Sequence, residues 1–248
     1  MTERDCQLEF QDVERRYGDS KCGVRALGPL DLRIARGELV SIMGPSGSGK
    51  STLLSLAGGL DFATRGCVRV MGHDLRDCSP AQLTILRRRT IGFVFQDLNL
   101  LPALSLLENV ALPLELDGVS HRVAFQEAKQ QLHSVGIEHL AHRFPDDVSG
   151  GERQRAAIAR ALIGPRCILL ADEPTGALDS LNGEAIMQLL RTKADEGRTI
   201  VVVTHNSAHA AWSDRIIYLR DGRQVDEVSE FDHATRPLGR NELGGLIE

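Results

Sequence analysis

Leu39-Val40-Ser41-Ile42-Met43-Gly44-Pro45-Ser46-Gly47-Ser48-Gly49-Lys50-Ser51-Thr52-Leu53-Leu54 is a buried-type strand, a glycine-rich turn and the start of a helix. The helical pattern continues through Leu56 and Ala57. The turn fits G-x-x-x-x-G-K-[ST] in the strand, loop, helix context that this motif requires. Glycines let successive backbone N–H groups face inward on phosphate oxygens, and the positive helix end adds to the attraction. Lys50 suits the β- and γ-phosphates of a nucleotide, and the Ser51 hydroxyl suits Mg²⁺. The plain alternative, a Gly/Ser turn ahead of a capped helix, does not require the full motif.

Working outward, Leu8 and Phe10, then Leu30, Leu32 and Ile34, alternate as half-buried antiparallel strands do, so an antiparallel β lobe opens the domain. Residues 79–162 read as a mainly helical insertion. Ser79-Pro80 is a helix start, and a helix over 120–135 is closed by Gly136. Beyond it a strand over 167–171, a helix over about 181–195, a strand over 199–204, a short helix near 207–212 and a strand over 215–219 alternate. This pattern predicts an α/β fold with a largely parallel sheet covered on both faces. A chain of 248 residues accommodates one such domain with a smaller helical lobe. We place the domain at residues 6–228 and leave the polar tail, 229–248, unassigned.

The formal net charge of −5 gives no global cationic field to collect nucleic acid, so none is expected as a partner. Cys6, Cys22, Cys67, Cys78 and Cys167 form no C-x-x-C pair and no Cys/His cluster, which argues against a zinc site and a secreted disulfide scaffold. Met-Thr-Glu-Arg-Asp at the start lacks the apolar run of a secretory leader. The longest apolar stretches are strand-sized, far short of the roughly 20 residues that span a bilayer. A cytoplasmic chain that reaches a membrane only through a partner is the expectation. His133, His139 and His142 share no clear face and no carboxylate pattern, and read as solvated surface. Arg87-Arg88-Arg89 reads as a solvated helix end, where cations are favoured.

Two further segments carry chemistry. Asp172-Glu173 follow the buried-type strand Cys167-Ile168-Leu169-Leu170-Ala171, at the carboxyl edge where α/β sheets bind ligands. Asp172 can orient Mg²⁺ through water, and Glu173 can polarise an attacking water. Ser149-Gly150-Gly151-Glu152 precedes a helix with Ile158, Ala159 and Leu162 on one face. As S-x-x-E before an apolar run it is a capping box. Its two glycines at a helix N-terminus equally expose N–H groups to an anion, and one segment can do both.

With the phosphate loop, Ser149-Gly150-Gly151-Glu152-Arg153-Gln154-Arg155, Asp172-Glu173-Pro174-Thr175, Ala177-Leu178-Asp179 and Thr204-His205 in this order, residues 6–228 resemble ABC ATPase subunits. The resemblance implies ATP and Mg²⁺ as ligands, held by Gly44, Pro45, Ser46, Gly47, Ser48, Gly49, Lys50, Ser51 and Thr52. It implies Gln96 as the Q-loop residue contacting Mg²⁺ and water, Glu173 as catalytic base, His205 on the γ-phosphate and Tyr17 stacked on adenine. It also implies a head-to-tail homodimer, each ATP lying between the phosphate loop of one copy and Ser149, Gly150, Gly151 and Glu152 of the other, with Asp179 between subunits. Val148 stands where the family commonly has Leu, and Glu152 where it has Gln.

Ile91-Gly92-Phe93-Val94-Phe95-Gln96-Asp97-Leu98-Asn99-Leu100-Leu101-Pro102, continuing through Glu108-Asn109-Val110 to Pro113, resembles the MacB, LolD and FtsE group, whose members drive integral membrane permeases. A motor subunit on the inner face of the membrane, bound to a separate permease, is therefore implied. The alternatives are a soluble ABC ATPase of DNA repair or translation, which usually has a long coiled-coil insertion or two cassettes, and a phosphate-loop kinase, which gives no reason for the Ser-Gly-Gly segment. Leu98, Leu100, Leu101, Leu104, Leu106 and Leu107 crowd the segment after Gln96. Part of them is expected inside the helical lobe and the rest in a groove for a partner helix.

Overall fold

The computed structural model describes residues 6–18, 23–176 and 178–229. Cys22, Ala177 and the tail beyond Ser229 lie outside them. The antiparallel lobe pairs β1 (Cys6–Tyr17) with β2 (Val24–Ala35) on one side and β4 (Arg65–Val70) on the other, and β5 (His73–Asp74) follows β4. The second sheet has the order β10-β9-β3-β8-β7-β6, with β3 (Leu39–Met43), β6 (Ile91–Val94), β7 (Ile168–Asp172), β8 (Thr199–Val203) and β9 (Arg215–Arg220) parallel. β10 (Arg223–Ser229) adds an antiparallel edge.

Strand periodicity explains the layers. On β7 and β8, Ile168, Leu170, Val201 and Val203 enter the core shared with the antiparallel lobe, while Leu169, Ala171, Ile200 and Val202 enter a second core on the opposite face. Side chains alternate between faces, so these runs must be apolar throughout. α1 (Lys50–Ala57) fills the first core with Leu53, Leu54 and Leu56, each fully buried Leu contributing about 1.5–3 kcal/mol. α6 (Ser180–Asp195) covers the other face with Ile186, Met187 and Leu190, and α7 (Ser207–Ala210) follows β8.

α2 (Pro80–Arg89) begins as expected, with a Ser79/Gln82 capping box and Pro80 in its first turn. The insertion expected to be mainly helical over 79–162 also contains a strand, β6. Leu83 of α2 and Ile91 of β6 pack in the core between the two sheets. Four strand residues are too few to show alternation, which hid β6 in the sequence. The helical lobe therefore comprises α3 (Leu106–Leu116), α4 (His121–Ser134) and α5 (Gly150–Leu162), with a core of its own.

α5 belongs to two cores rather than presenting one apolar face. Ile158 and Leu162 pack on the parallel sheet, and Ala156 and Ala159 face the helical lobe. It meets β6 backbone to backbone, since a Cβ on Gly92 would lie 2.0 Å from the Ala161 carbonyl oxygen. The arginine run closing α2 is no free solvated end. Arg87 donates to the Gly59 carbonyl at 2.7 Å and Arg88 to that of Leu116 at 2.7 Å, while Arg89 donates to the Asp117 carboxylate.

Candidate active site

The carboxyl ends of four neighbouring parallel strands converge on one edge of the sheet. β3 delivers the phosphate loop, β6 leads to Gln96, β7 ends in Asp172 followed by Glu173, and β8 leads to His205. An open groove of about 880 Å³ runs along this edge. Gly44, Pro45, Ser46, Gly47, Gly49, Lys50, Ser51, Thr52, Gln96, Gly150, Asp172, Glu173 and His205 all line it.

The loop has to be glycine-rich. Gly44 and Gly49 have φ of 152° and 101°. Added Cβ atoms there would lie 2.1 Å from the Leu219 carbonyl oxygen and 2.3 Å from that of Ala26. Gly49 caps α1 with no side-chain bond to its first-turn N–H groups, which suits an anion. Lys50 folds over the loop, donating to the carbonyls of Gly44 at 2.8 Å and Pro45 at 2.9 Å. Ser48 is buried.

Burial raises the Asp172 carboxyl above its ordinary value and the adjacent Glu173 adds to this, while a hydrogen bond from Ser51 and the charge of Lys50 oppose it. Glu173 sits at φ 49°, in the left-handed region that non-glycine residues rarely adopt. Its N–H donates to the Val203 carbonyl at 3.0 Å. Its Oε1 lies 2.9 Å from His205 Nδ1, and its Oε2 is buried without a hydrogen-bond partner. A carboxylate held at one oxygen, with the other free of hydrogen bonds, can accept a proton from a bound molecule.

Ser149 caps α5 as read: its hydroxyl donates to Glu152 Oε2 at 2.8 Å and its N–H to the same oxygen at 2.7 Å, lowering the Glu152 carboxyl. Gly150 reaches the groove, and Ser149, Gly151 and Glu152 flank it outside the lining. Asp179 caps α6, accepting from the Asn182 N–H at 2.9 Å. Neither Asp179 nor Tyr17 lines the groove. Tyr17 stands at the end of β1 with its hydroxyl donating to Asp61 Oδ2 at 2.7 Å.

Sequence reasoning missed Gln154, which is 5% exposed and lines the groove with its Nε2 unpartnered. Its adjacency to the Ser-Gly-Gly segment was the available signal. The leucines after Gln96 divide, with Leu101 45% exposed. Leu106 and Leu107 are buried in the helical lobe, and Leu98 and Leu100 pack against the cores. A separate groove of about 360 Å³ opens between Leu60, Phe93, Phe95, Pro113, Arg87 and Arg160. Among the described residues no group of His, Cys, Asp and Glu is arranged to hold a metal by itself, the histidines of α4 and the following turn included.

The profile of the family described as "ABC transporter" matches residues 27–176. The chain belongs to this family: it is an ATP-binding, ATP-hydrolysing cassette of the ABC transporters. Within the family it falls in the MacB and LolD group, which sets aside the DNA-repair alternative. It is 46% identical over 232 residues to the uncharacterized ABC transporter ATP-binding protein MJ0796 of Methanocaldococcus jannaschii, covering 91% of this chain and 99% of that one. It is 43% identical over 220 residues to the lipoprotein-releasing system ATP-binding protein LolD of Shewanella sp. MR-4, covering 88% and 95%. It is 43% identical over 235 residues to the macrolide export ATP-binding/permease protein MacB of Rhodospirillum rubrum, where the match covers 94% of this chain. The chain spans only 36% of that protein's length. A dimeric post-hydrolysis structure of MJ0796 bound to ADP and Pi superposes with a TM-score of 0.83 at 44% identity, covering 90% of this chain and 98% of the other.

Proposed function

We propose that this chain converts ATP hydrolysis into movement of a membrane permease of the MacB or LolD type, on the cytoplasmic face of the cell membrane. The observation that carries the reading is the single groove joining the phosphate loop, Asp172, His205 and the unpartnered Oε2 of Glu173. In this reading Lys50 and the loop N–H groups hold the phosphates, Glu173 takes a proton from the attacking water, and His205 fixes the Glu173 carboxylate through Oε1. Gln96 positions the water from the β6 side.

The donors around Ser51 fit Mg²⁺, a hard ion that favours one or two carboxylates, a hydroxyl and phosphate oxygens over an all-protein cage. Ser51, Asp172 and Gln96 would hold it, and bound there it neutralises charge on the phosphates. A second copy supplies Ser149, Gly150, Gly151 and Glu152 to close each site. Leu181, 74% exposed two residues beyond the Asp179 cap, supports an interface there. The 360 Å³ groove, apolar with Arg87 and Arg160 at its walls, suits an amphipathic permease helix carrying an acidic residue. No helix among the described residues is long and apolar enough to cross a membrane.

The test is Glu173→Gln, which keeps the shape and removes the base. Turnover should fall by about 10²–10⁴-fold while ATP binding persists. Wild-type hydrolysis by this variant would remove Glu173 from the role.

A further inference from the structure

Arg15 and Tyr17 stand two residues apart near the end of β1, where the pairing with β2 is irregular. The Arg15 guanidinium carbon lies 4.4 Å from the centre of the Tyr17 ring, within cation–π range. Both side chains converge on one oxygen. Tyr17 donates its hydroxyl to Asp61 Oδ2 at 2.7 Å, and Arg15 Nε forms an ion pair with the same atom at 2.8 Å. Asp61 closes the turn after α1, its N–H donating to the Ser55 carbonyl at 3.3 Å. The clamp thus ties the ring to the far end of the helix that begins at the phosphate loop.

One ring face carries the guanidinium, and Tyr17 remains 43% exposed. The strand register sets Tyr17 opposite Val24, two residues before Ala26, which lines the nucleotide groove. A free surface tyrosine samples several rotamers, and stacking on a ligand must first freeze them. Here the frozen state exists beforehand. A guanidinium is suited to this, because it can stand over a ring while its charge pairs with a carboxylate beside it.

We propose that Arg15 and Asp61 are positioning residues that preset Tyr17 to receive the adenine ring of ATP. This rests on the stacking role that the family resemblance assigns to Tyr17. Binding of ATP and of inorganic tripolyphosphate is measured by calorimetry for Tyr17→Ala, Arg15→Gln and the double variant, in the Glu173→Gln background that stops turnover, with thermal unfolding as a fold control. Tripolyphosphate has no base, so a change in its affinity reports general damage or lost charge.

Tyr17→Ala should weaken ATP about 5- to 150-fold, the range of one lost base–aromatic stack, and leave tripolyphosphate unchanged. Arg15→Gln should weaken ATP about 2- to 5-fold, again sparing tripolyphosphate, and should add nothing to Tyr17→Ala. If Tyr17→Ala alone weakens ATP, the clamp is wrong and the stacking role stands. An unchanged ATP affinity in Tyr17→Ala overturns both. An Arg15→Gln effect that is equal for tripolyphosphate, or fully additive with Tyr17→Ala, also overturns the clamp, because Arg15 then acts on phosphate or independently of the ring.

Discussion

Asn109, on α3 and 0% exposed, holds the segment that follows Gln96. Its Oδ1 accepts from the Leu101 N–H at 2.8 Å, and its Nδ2 donates to the carbonyls of Leu101, Leu104 and Ser105 at 3.0, 2.9 and 3.0 Å. Asn109→Leu keeps the branched shape, at a larger volume, and removes all four bonds. The Leu101 carbonyl retains the Leu104 N–H at 3.1 Å, and the Ser105 carbonyl retains the N–H of residue 109 at 2.9 Å. The Leu101 N–H and the Leu104 carbonyl lose the partners described here. At about 1–3 kcal/mol for each orphaned group the loss is about 2–6 kcal/mol. Leu101 is 45% exposed, so water reaches the segment and the lower end applies, about 2–3 kcal/mol. In a chain of this size that lowers Tm by about 4–12 °C. Asn109→Asp keeps the bond from Leu101 N–H but turns a carboxylate toward three carbonyls. It should melt below Asn109→Leu at neutral pH and regain part of the difference under acid, where a protonated carboxyl can donate. Thermal unfolding followed by circular dichroism measures both. If both variants melt within about 1 °C of wild type, Asn109 does not hold the segment.

Three further outcomes are expected. Mixing Lys50→Ala with Ser149→Arg should restore hydrolysis above either variant alone, since one intact composite site is rebuilt in a heterodimer; no gain in confirmed heterodimers would contradict a shared site. Leu60→Ser, at an exposed wall of the smaller groove, should reduce permease capture and permease-stimulated hydrolysis with ATP binding intact, and unchanged capture would move the interface elsewhere. His209 is buried, 2.8 Å from the Thr175 hydroxyl, and burial lowers its pKa below the ordinary 6.5 despite Glu184 and Glu173, with His205 adding to the lowering. The unfolded chain therefore takes up a proton first: stability is full above 6.5 and falls as pH drops through that value toward the folded one. The slope is at most about 1.4 kcal/mol per pH unit. His209→Gln should flatten it, and denaturant midpoints with the wild-type pH slope in that variant would exclude His209 as the source.

What the sequence disclosed and what it concealed divide along physical lines. The phosphate loop, the capping boxes and the strands of β3, β7 and β8 are local patterns, each specified by neighbours within a few residues. β4 escaped because Gly66, at φ 77°, interrupts a short strand. β10 escaped because its Arg223, Asp226 and Glu227 read as loop, although an exposed edge strand tolerates such residues. In the site, Asp172, Glu173 and His205 were legible because they follow strands that the sequence shows, whereas Gln96 follows the hidden β6 and rested on the family resemblance alone. The Asp61 partner of Tyr17 lies 44 residues away in sequence. No local pattern announces such a pairing, or the clasp of Arg88 and Arg89 on Leu116 and Asp117. The leucines after Gln96 showed hydrophobicity correctly but not direction, since residues with positive φ at Leu98 and Asn99 turn the chain there.

The bare backbone contact between Gly92 and Ala161 sets the place where α5 meets β6 most closely, and small tilts about such a point are amplified along a helix. From Ala161 to Gly150 the helix runs about 16 Å, at ~1.5 Å per residue. A tilt of about 10° about that point therefore carries the glycine tip roughly 3 Å, the difference between a hydrogen bond and none. Arg160, beside the contact, grips the carbonyls of Leu98 and Asn99. The segment after Gln96 is thus tied by two hydrogen bonds to the end of α5 opposite its glycine tip.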